Sequence, residues 1–131
     1  MTIATLEALR DAIRASTGPD PDQTLGAAFA EHVLGWTDPR RFGSAVTYVA
    51  PDGSYCELPD FFDPIAGPGA LFAAARERWP DVAMRVEVWM SAAGPQALAM
   101  FEDRREERHP LLTHALALAM VEAAIQERDN R

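Results

Sequence analysis

The sequence predicts an α+β fold in which a small antiparallel sheet is sandwiched by helices, an α/β/α sandwich with the element order α-α-(β-hairpin)-α-β-β-α. Two alternating stretches, 82–90 and 95–103, are joined by a connection far shorter than the dozen or so residues that parallel pairing needs. A helical pattern precedes them from Pro68, and a long apolar helix follows from Pro110. The length of 131 residues suits a single domain, 1–131.

Two helices are expected in the N-terminal part of the chain. Residues 3–16 carry apolar side chains at helical spacing, and the proline- and glycine-containing segment 17–22 ends this helix. Asp22 or Thr24 can cap a second helix, because short polar side chains accept the free N–H groups of a first turn. Gly35 stands where a left-handed C-terminal cap belongs.

The middle of the chain has a weaker pattern. Residues 46–50 and 54–58 flank Pro51-Asp52-Gly53, a turn in which proline presets φ and glycine accepts a positive φ. A small hairpin and an irregular excursion both fit these short stretches. Gly67-Pro68-Gly69 then opens a third helix, because proline suits a first helical turn. This helix runs to about residue 79, and its expected inner face is Leu71, Phe72, Ala75 and Trp79.

The second half is better patterned. Along the first predicted strand, alternate residues face opposite sides of the sheet. One side carries Val82, Met84, Val86, Val88 and Met90, and the other carries Arg85, Glu87 and Trp89. Segment 103–108 is predicted as a charged loop, and His109-Pro110 as the start of the last helix. The apolar stripe expected to bury that helix is Leu111, Leu112, Ala115, Leu118, Ala119 and Ile125.

The charge pattern limits the chemistry. There are 20 acidic and 12 basic residues, a net charge of −8, and no lysine. Without lysine there is no Schiff base and no Walker-type phosphate loop. The acidic balance argues against direct nucleic-acid binding, because neutralising phosphates supplies most of that affinity. The expected partner is a protein with a basic surface, which an acidic protein would attract at long range.

The remaining composition indicates a cytoplasmic protein. Cys56 is the only cysteine, so an internal disulfide is excluded and a reducing compartment is expected. The start of the chain has no pattern of a signal peptide. The most apolar stretch, 110–125, is interrupted by polar residues and is too short for a bilayer, so no membrane contact is expected. The pattern leaves the oligomeric state undetermined.

Several short sequence motifs, together with the order of the predicted elements, resemble those of the phage ABA sandwich domain family. They are Gly35-Trp36 closing a helix, Leu58-Pro59-Asp60-Phe61 before the next helix, the strand pair, and a proline-led helix rich in alanine and leucine. The resemblance covers about 24–127, and the helix within 1–17 lies outside it and is expected at the periphery. Family members usually have Ala-Pro where this chain has His109-Pro110. The resemblance implies a small phage or prophage protein without assigned catalytic residues or cofactors.

For each residue that could be catalytic or bind a metal, a purely structural role is also possible. His109 and His114 are five positions apart, which does not put two metal ligands on one helix face, and His32 falls on an apolar face. Structural or capping roles are favoured for all three histidines. Glu57, Asp60 and Asp63 cluster in an extended segment and could bind a hard divalent metal, but solvated loop acids are the favoured interpretation. Cys56 has no recognisable catalytic context.

Trp89 shares a strand face with Arg85 and Glu87. Aromatic and arginine side chains are common anchors of protein interfaces, so this stripe is a partner surface if no helix covers it. If helices cover both faces of the sheet, Trp89 belongs to the core instead. Asp52, Glu57, Asp60 and Asp63 are the alternative binding surface.

The predicted function is that of a non-enzymatic phage or prophage accessory protein that binds another protein and uses no cofactor. Two alternatives remain open. One is an acidic inhibitor of a host nucleic-acid machine, such as an anti-CRISPR or another counter-defence factor. The other is a metal-dependent hydrolase that uses Glu57, Asp60 and Asp63.

Overall fold

The computed structural model describes residues 2–102 and 104–131. These residues form four helices and two three-stranded antiparallel sheets, which confirms the α+β class. The helices are α1 Leu6–Ala15, α2 Thr24–His32, α3 Gly67–Arg78 and α4 Leu112–Asp129. The strands are β1 Thr37–Phe42, β2 Ala45–Val49, β3 Tyr55–Glu57, β4 Met84–Ser91, β5 Gly94–Phe101 and β6 Glu107–His109. The sheets have the orders β1-β2-β3 and β4-β5-β6.

The predicted antiparallel pair of strands is confirmed. β4 and β5 are in register from Met84 opposite Phe101 to Ser91 opposite Gly94, with no bulge between these ends. The turn is shorter than the pattern indicated, because Gly94 already belongs to β5. β5 ends at Phe101, and the predicted end of the strand at Asp103 lies outside the described residues.

Two strands, β1 and β6, were not predicted. In each case there is a physical reason why the sequence lacks the alternation that marks a strand. β1 is exposed along its whole length, contains Pro39 and has an irregular register between Thr37 and Arg40. It therefore shows none of the alternation that marks a half-buried strand. β6 has only three residues and lies where a charged loop was predicted. Its Glu107 and His109 are buried although both are polar.

The hairpin interpretation of the middle segment is confirmed. β2 and β3 pair antiparallel, and the Ala50 N–H donates to the Ser54 carbonyl oxygen at 2.9 Å just beyond the ladder. Gly53 has a φ of +88°, which is the left-handed conformation expected for it. Tyr48, from the centre of β2, is buried.

The start of α2 differs from the prediction, whereas its end agrees with it. Neither Asp22 nor Thr24 caps the helix. Instead, the Asp20 carboxylate accepts the N–H groups of Leu25 and Gly26, at 3.2 and 2.9 Å. An aspartate several residues upstream can do this because the chain between them turns back on itself. Gly35 has a φ of +72°, as predicted for the residue after the helix.

Helix α4 lies at the centre of the molecule. It contacts α1 and α3 as well as β5 and β6, so it is buried on more sides than the predicted stripe requires. It begins at Leu112 rather than at 109–110, because His109 belongs to β6. The residues buried along it are Thr113, His114, Ala115, Leu116, Ala117, Leu118, Ala119, Met120, Val121, Ala123, Ala124 and Ile125.

Two further expectations need correction. Helix α1 is not peripheral, because Leu9 and Ile13 are fully buried and the helix packs against α4. On α3, Phe72 was placed on the inner face but is 42% exposed, whereas Ala74 is buried. Successive residues lie about 100° apart around the axis of an α-helix, so a modest rotation of the helix exchanges neighbouring residues between its inner and outer sides.

Candidate functional site

The outer face of the β4–β5 hairpin is the side that carries Arg85, Glu87 and Trp89. In an antiparallel pair, residues directly opposite each other share a face. Glu87 is opposite Leu98, which in turn is opposite Arg108 of β6. No helix formed by residues 2–102 or 104–131 covers these side chains, and Arg85, Glu87 and Trp89 are exposed. The alternative that placed Trp89 in the core is therefore wrong.

Trp89 is the aromatic group of this outer face, and 38% of it is exposed. The guanidinium carbon of Arg108 lies 5.7 Å from the centroid of the Trp89 ring, a distance at which a cation and an aromatic face attract each other. Arg108 also pairs with Glu106 at 3.0 Å. Leu98 is only 5% exposed. The exposed part of the Trp89 ring, flanked by charged side chains, is therefore the apolar group that this face offers to a partner.

Arg85 and Glu87 supply the charges at the other end of the outer face. Arg85 Nη2 lies 2.7 Å from Glu87 Oε1, and both side chains are largely exposed. Exposed ion pairs contribute little stability, so these charges are available to a partner at small cost to the fold. The charges of this face nearly cancel, which separates it from the strongly acidic chain as a whole.

The tip of the hairpin exposes apolar side chains on its inner face, the side of β4 opposite Arg85, Glu87 and Trp89. Val88 is 65% exposed and Met90 is 76% exposed. The turn that joins the strands is held by Ser91, whose hydroxyl donates to the Gly94 carbonyl oxygen at 2.9 Å and accepts the Ala93 N–H at 3.2 Å. The exposed tip is thus a formed turn. The alternation of β4 predicts which way these side chains point but does not reveal that nothing covers them.

The acidic candidates are used mainly by local turns. The Asp52 carboxylate accepts the N–H and the hydroxyl of Ser54, and these hydrogen bonds lower the pKa of Asp52. Asp63 accepts the N–H groups of residues 65 and 66, at 2.9 and 2.7 Å, just before α3. Glu57 and Asp60 are exposed. Asp63 therefore acts at a helix entry, and the group is not joined into one site.

The acidic, histidine and cysteine side chains of the described residues do not converge on one centre. Within residues 2–102 and 104–131, no group of three or more His, Cys, Asp or Glu side chains is arranged to hold a metal ion. Cys56 is half-buried, and burial raises the pKa of its thiol. A thiol of that kind is less reactive, because the thiolate is the nucleophile.

His109 and His114 form a buried stack that holds three elements together. Their ring centroids are 4.6 Å apart. The Leu111 N–H donates to His109 Nδ1 at 3.0 Å, so His109 carries its proton on Nε2 and donates it to the Ser16 carbonyl oxygen, also at 3.0 Å. His114 Nε2 lies 2.9 Å from the Ser16 hydroxyl. Burial lowers the pKa of both histidines, to about 4 for His114.

A cavity of about 530 Å³ lies between α2 and the first sheet. Tyr48 lines it and donates its hydroxyl to Glu31 at 2.9 Å. Burial, and next the bond to Glu31, raises the pKa of Tyr48, so its phenol keeps the proton at neutral pH. His32 also lines the cavity, with its Nε2 3.1 Å from the Ile3 carbonyl oxygen. The Tyr48 and His32 side chains thus serve the packing of the fold.

Comparison of the chain with family models, with curated proteins and with solved structures finds no match. The resemblance to the phage ABA sandwich domain family therefore stays a prediction. None of the helices within the described residues has the length and apolar character that a bilayer crossing requires.

Proposed function

We propose that this protein is a non-enzymatic phage or prophage accessory protein that acts in the cytoplasm of a bacterial host by binding another protein. The observation that carries this proposal is the uncovered outer face of the hairpin, where Trp89 is exposed between charged groups. Tryptophan and arginine are enriched among the residues that dominate binding energy. The phage or prophage origin rests on the family resemblance alone.

We further propose that the partner presents a basic surface and that the protein does not bind nucleic acid directly. The support is the net charge of −8. Complementary charge mainly accelerates association, and salt screens that effect beyond about 8–10 Å. The nearly neutral hairpin face would then form the contact, while the acidic remainder of the molecule steers the approach. An inhibitor of a host nucleic-acid machine is a narrower form of the same proposal.

The test is capture of a partner from bacterial lysate by wild type, Trp89→Ala and Tyr55→Ala. Tyr55 is 82% exposed on the first sheet and gives a matched control for the loss of an exposed aromatic ring. We expect one protein to be retained by wild type and Tyr55→Ala and lost by Trp89→Ala. Loss by both variants, or by neither, would contradict the assignment of the binding face.

The electrostatic part is tested with the captured protein. Its association rate should fall by about tenfold or more between low and physiological salt. A rate that does not change with salt would remove the argument from charge. Tight binding of duplex DNA by this protein at physiological salt would contradict the exclusion of nucleic acid.

A further inference from the structure

Strand β4 lies at the edge of its sheet, and one row of its backbone groups has no strand beside it. The Glu102 N–H donates to the Ala83 carbonyl oxygen at 2.9 Å, so this pair is a hydrogen-bonded one. Hydrogen-bonded and non-bonded pairs alternate along an antiparallel ladder. The backbone groups of Met84, Val86, Val88 and Met90 therefore point away from β5. No other strand of the described residues pairs with β4 on that side.

Most features that keep such an edge from pairing are missing. Proteins protect edge strands with proline, lysine, bulges or a covering helix. β4 has neither proline nor lysine, and its register with β5 is unbroken over eight pairs. Val88 and Met90 add exposed apolar surface along it. The only charges on the strand are Arg85 and Glu87, so these two residues decide what can pair there.

We propose that β4 pairs antiparallel with β4 of a second copy of this chain, with Val86 opposite its own counterpart, so that the two sheets form one six-stranded sheet. In this register Arg85 of each copy is opposite Glu87 of the other. Opposite charges stabilise such a cross-strand pair, and like charges destabilise it. A shift of this register by two residues in either direction would set Arg85 against Arg85 or Glu87 against Glu87. A shift by four residues would set Arg85 and Glu87 opposite other positions and so lose the pairing of these two charges.

The backbone geometry agrees with the same register. Val86 has its N–H and carbonyl oxygen directed outward, so two copies of Val86 can form a hydrogen-bonded pair. Arg85 and Glu87 then belong to the non-bonded pairs, in which opposite side chains come closest. In the single chain the two charges pair with each other at 2.7 Å, and the second copy would provide the same partners across the strands.

The apolar surfaces are complementary as well. In this register Val88 of one copy is opposite Met84 of the other, and Met90 is opposite Val82. A groove of about 210 Å³ lies beside Val82 and Met84. Its other lining residues are Phe72, Ala75, Arg76, Trp79, Pro80 and Phe101. The exposed tip of each copy would therefore lie on the same side as the groove of the other, as a two-fold interface requires.

The dimer leaves the outer face of both hairpins open, so this inference does not depend on the proposed partner protein. The test is the molar mass of the protein in solution between roughly 1 and 100 µM. We expect a concentration-dependent dimer for wild type. Arg85→Glu and Glu87→Arg should each weaken it by about tenfold or more, because two-fold symmetry applies each change twice.

Mixing the two variants gives the decisive measurement. Arg85→Glu and Glu87→Arg are complementary to each other, so their equimolar mixture should dimerise where each alone does not. The chain that carries both changes should also regain the dimer. Both residues are exposed, and circular dichroism will verify that every variant is folded. Failure of the mixture to dimerise would overturn the proposed register.

A second pair of variants tests the edge itself. Val88→Lys should abolish the dimer, whereas Ile65→Lys, at a loop residue that is 91% exposed, should leave it unchanged. Wild type that is monomeric at every concentration would overturn the second copy as the occupant of this edge, and so would assemblies that grow beyond the dimer. If wild type is monomeric and captures a different protein, and Val88→Lys no longer captures it, the edge of β4 belongs to that protein instead.

Discussion

The two ends of the β4–β5 hairpin carry the same alternation of side chains in different surroundings. At the base, Phe101 is 2% exposed, and its ring meets Trp79 edge to face at a centroid distance of 5.1 Å. At the tip, Val88 and Met90 continue the inner face of β4 and are mostly exposed. Helix α4 contacts β5, whereas Val88 and Met90 at the end of β4 lie open to solvent. Alternation therefore identifies the two faces of a strand and not what lies against each face.

The largest expected effect comes from removing the ring at the base. Phe101→Ala should lower the free energy of unfolding by about 3–5 kcal/mol, because it leaves a cavity between β5 and α3. Met90→Ala at the tip should change that free energy by less than about 0.5 kcal/mol. Urea denaturation at a concentration where the protein is monomeric will measure both. Equal effects would show that the tip is covered in solution.

Acid should weaken the centre of the molecule through the histidine stack. The folded protein favours neutral His114, whose pKa of about 4 lies below the ordinary value of 6.5. Between these values the unfolded chain binds more protons, so stability should fall as the pH falls from 6.5 towards 4. Its share of that loss is up to about 3 kcal/mol. Burial raises the pKa of Glu107, which gives a slope of the opposite sign above pH 4.5.

The measurement is the free energy of unfolding of wild type and His114→Gln across this pH range. Glutamine does not titrate, so the slope due to His114 should be absent from the variant. The difference between the two proteins isolates this residue from the carboxylates that titrate in the same range. If the free energies of unfolding of wild type and His114→Gln depend on pH in the same way, His114 is accessible to water and the centre of the molecule is less tightly packed than its burial indicates.

A smaller effect is expected at the start of α3, where Gly67 is closely packed and Gly69 faces open space. A Cβ on Gly67 would lie 2.3 Å from the Phe61 carbonyl oxygen, whereas a Cβ on Gly69 would meet nothing within 4 Å. Gly67→Ala should therefore destabilise the fold by about 1–3 kcal/mol. Gly69→Ala should stabilise it by up to about 1 kcal/mol, since alanine favours a helix. Thermal unfolding of the two variants in opposite directions would confirm that only Gly67 is held by close packing.

Much of the fold could be predicted because it depends on local chemistry. The pairing of β4 with β5 follows from their alternation and the short connection, and Gly35 and Gly53 adopt the positive φ that their turns require. What escaped prediction depends on residues distant in sequence. Glu107 and His109 turn inward opposite Ala99 and Ala97, and only small residues on β5 leave room for them.

For the candidate site, too, one part follows from the sequence and another only from the tertiary structure. The sequence by itself determined that Arg85, Glu87 and Trp89 share one face of a strand, because side chains alternate along any β-strand. Only the tertiary structure decided that this face is open. It did so by placing α4 on the opposite side of the sheet and Arg108 of β6 beside Trp89. Whether a helix covers a sheet face depends on where that helix packs. The packing position is set by the apolar surface that the whole chain buries and not by any local sequence pattern.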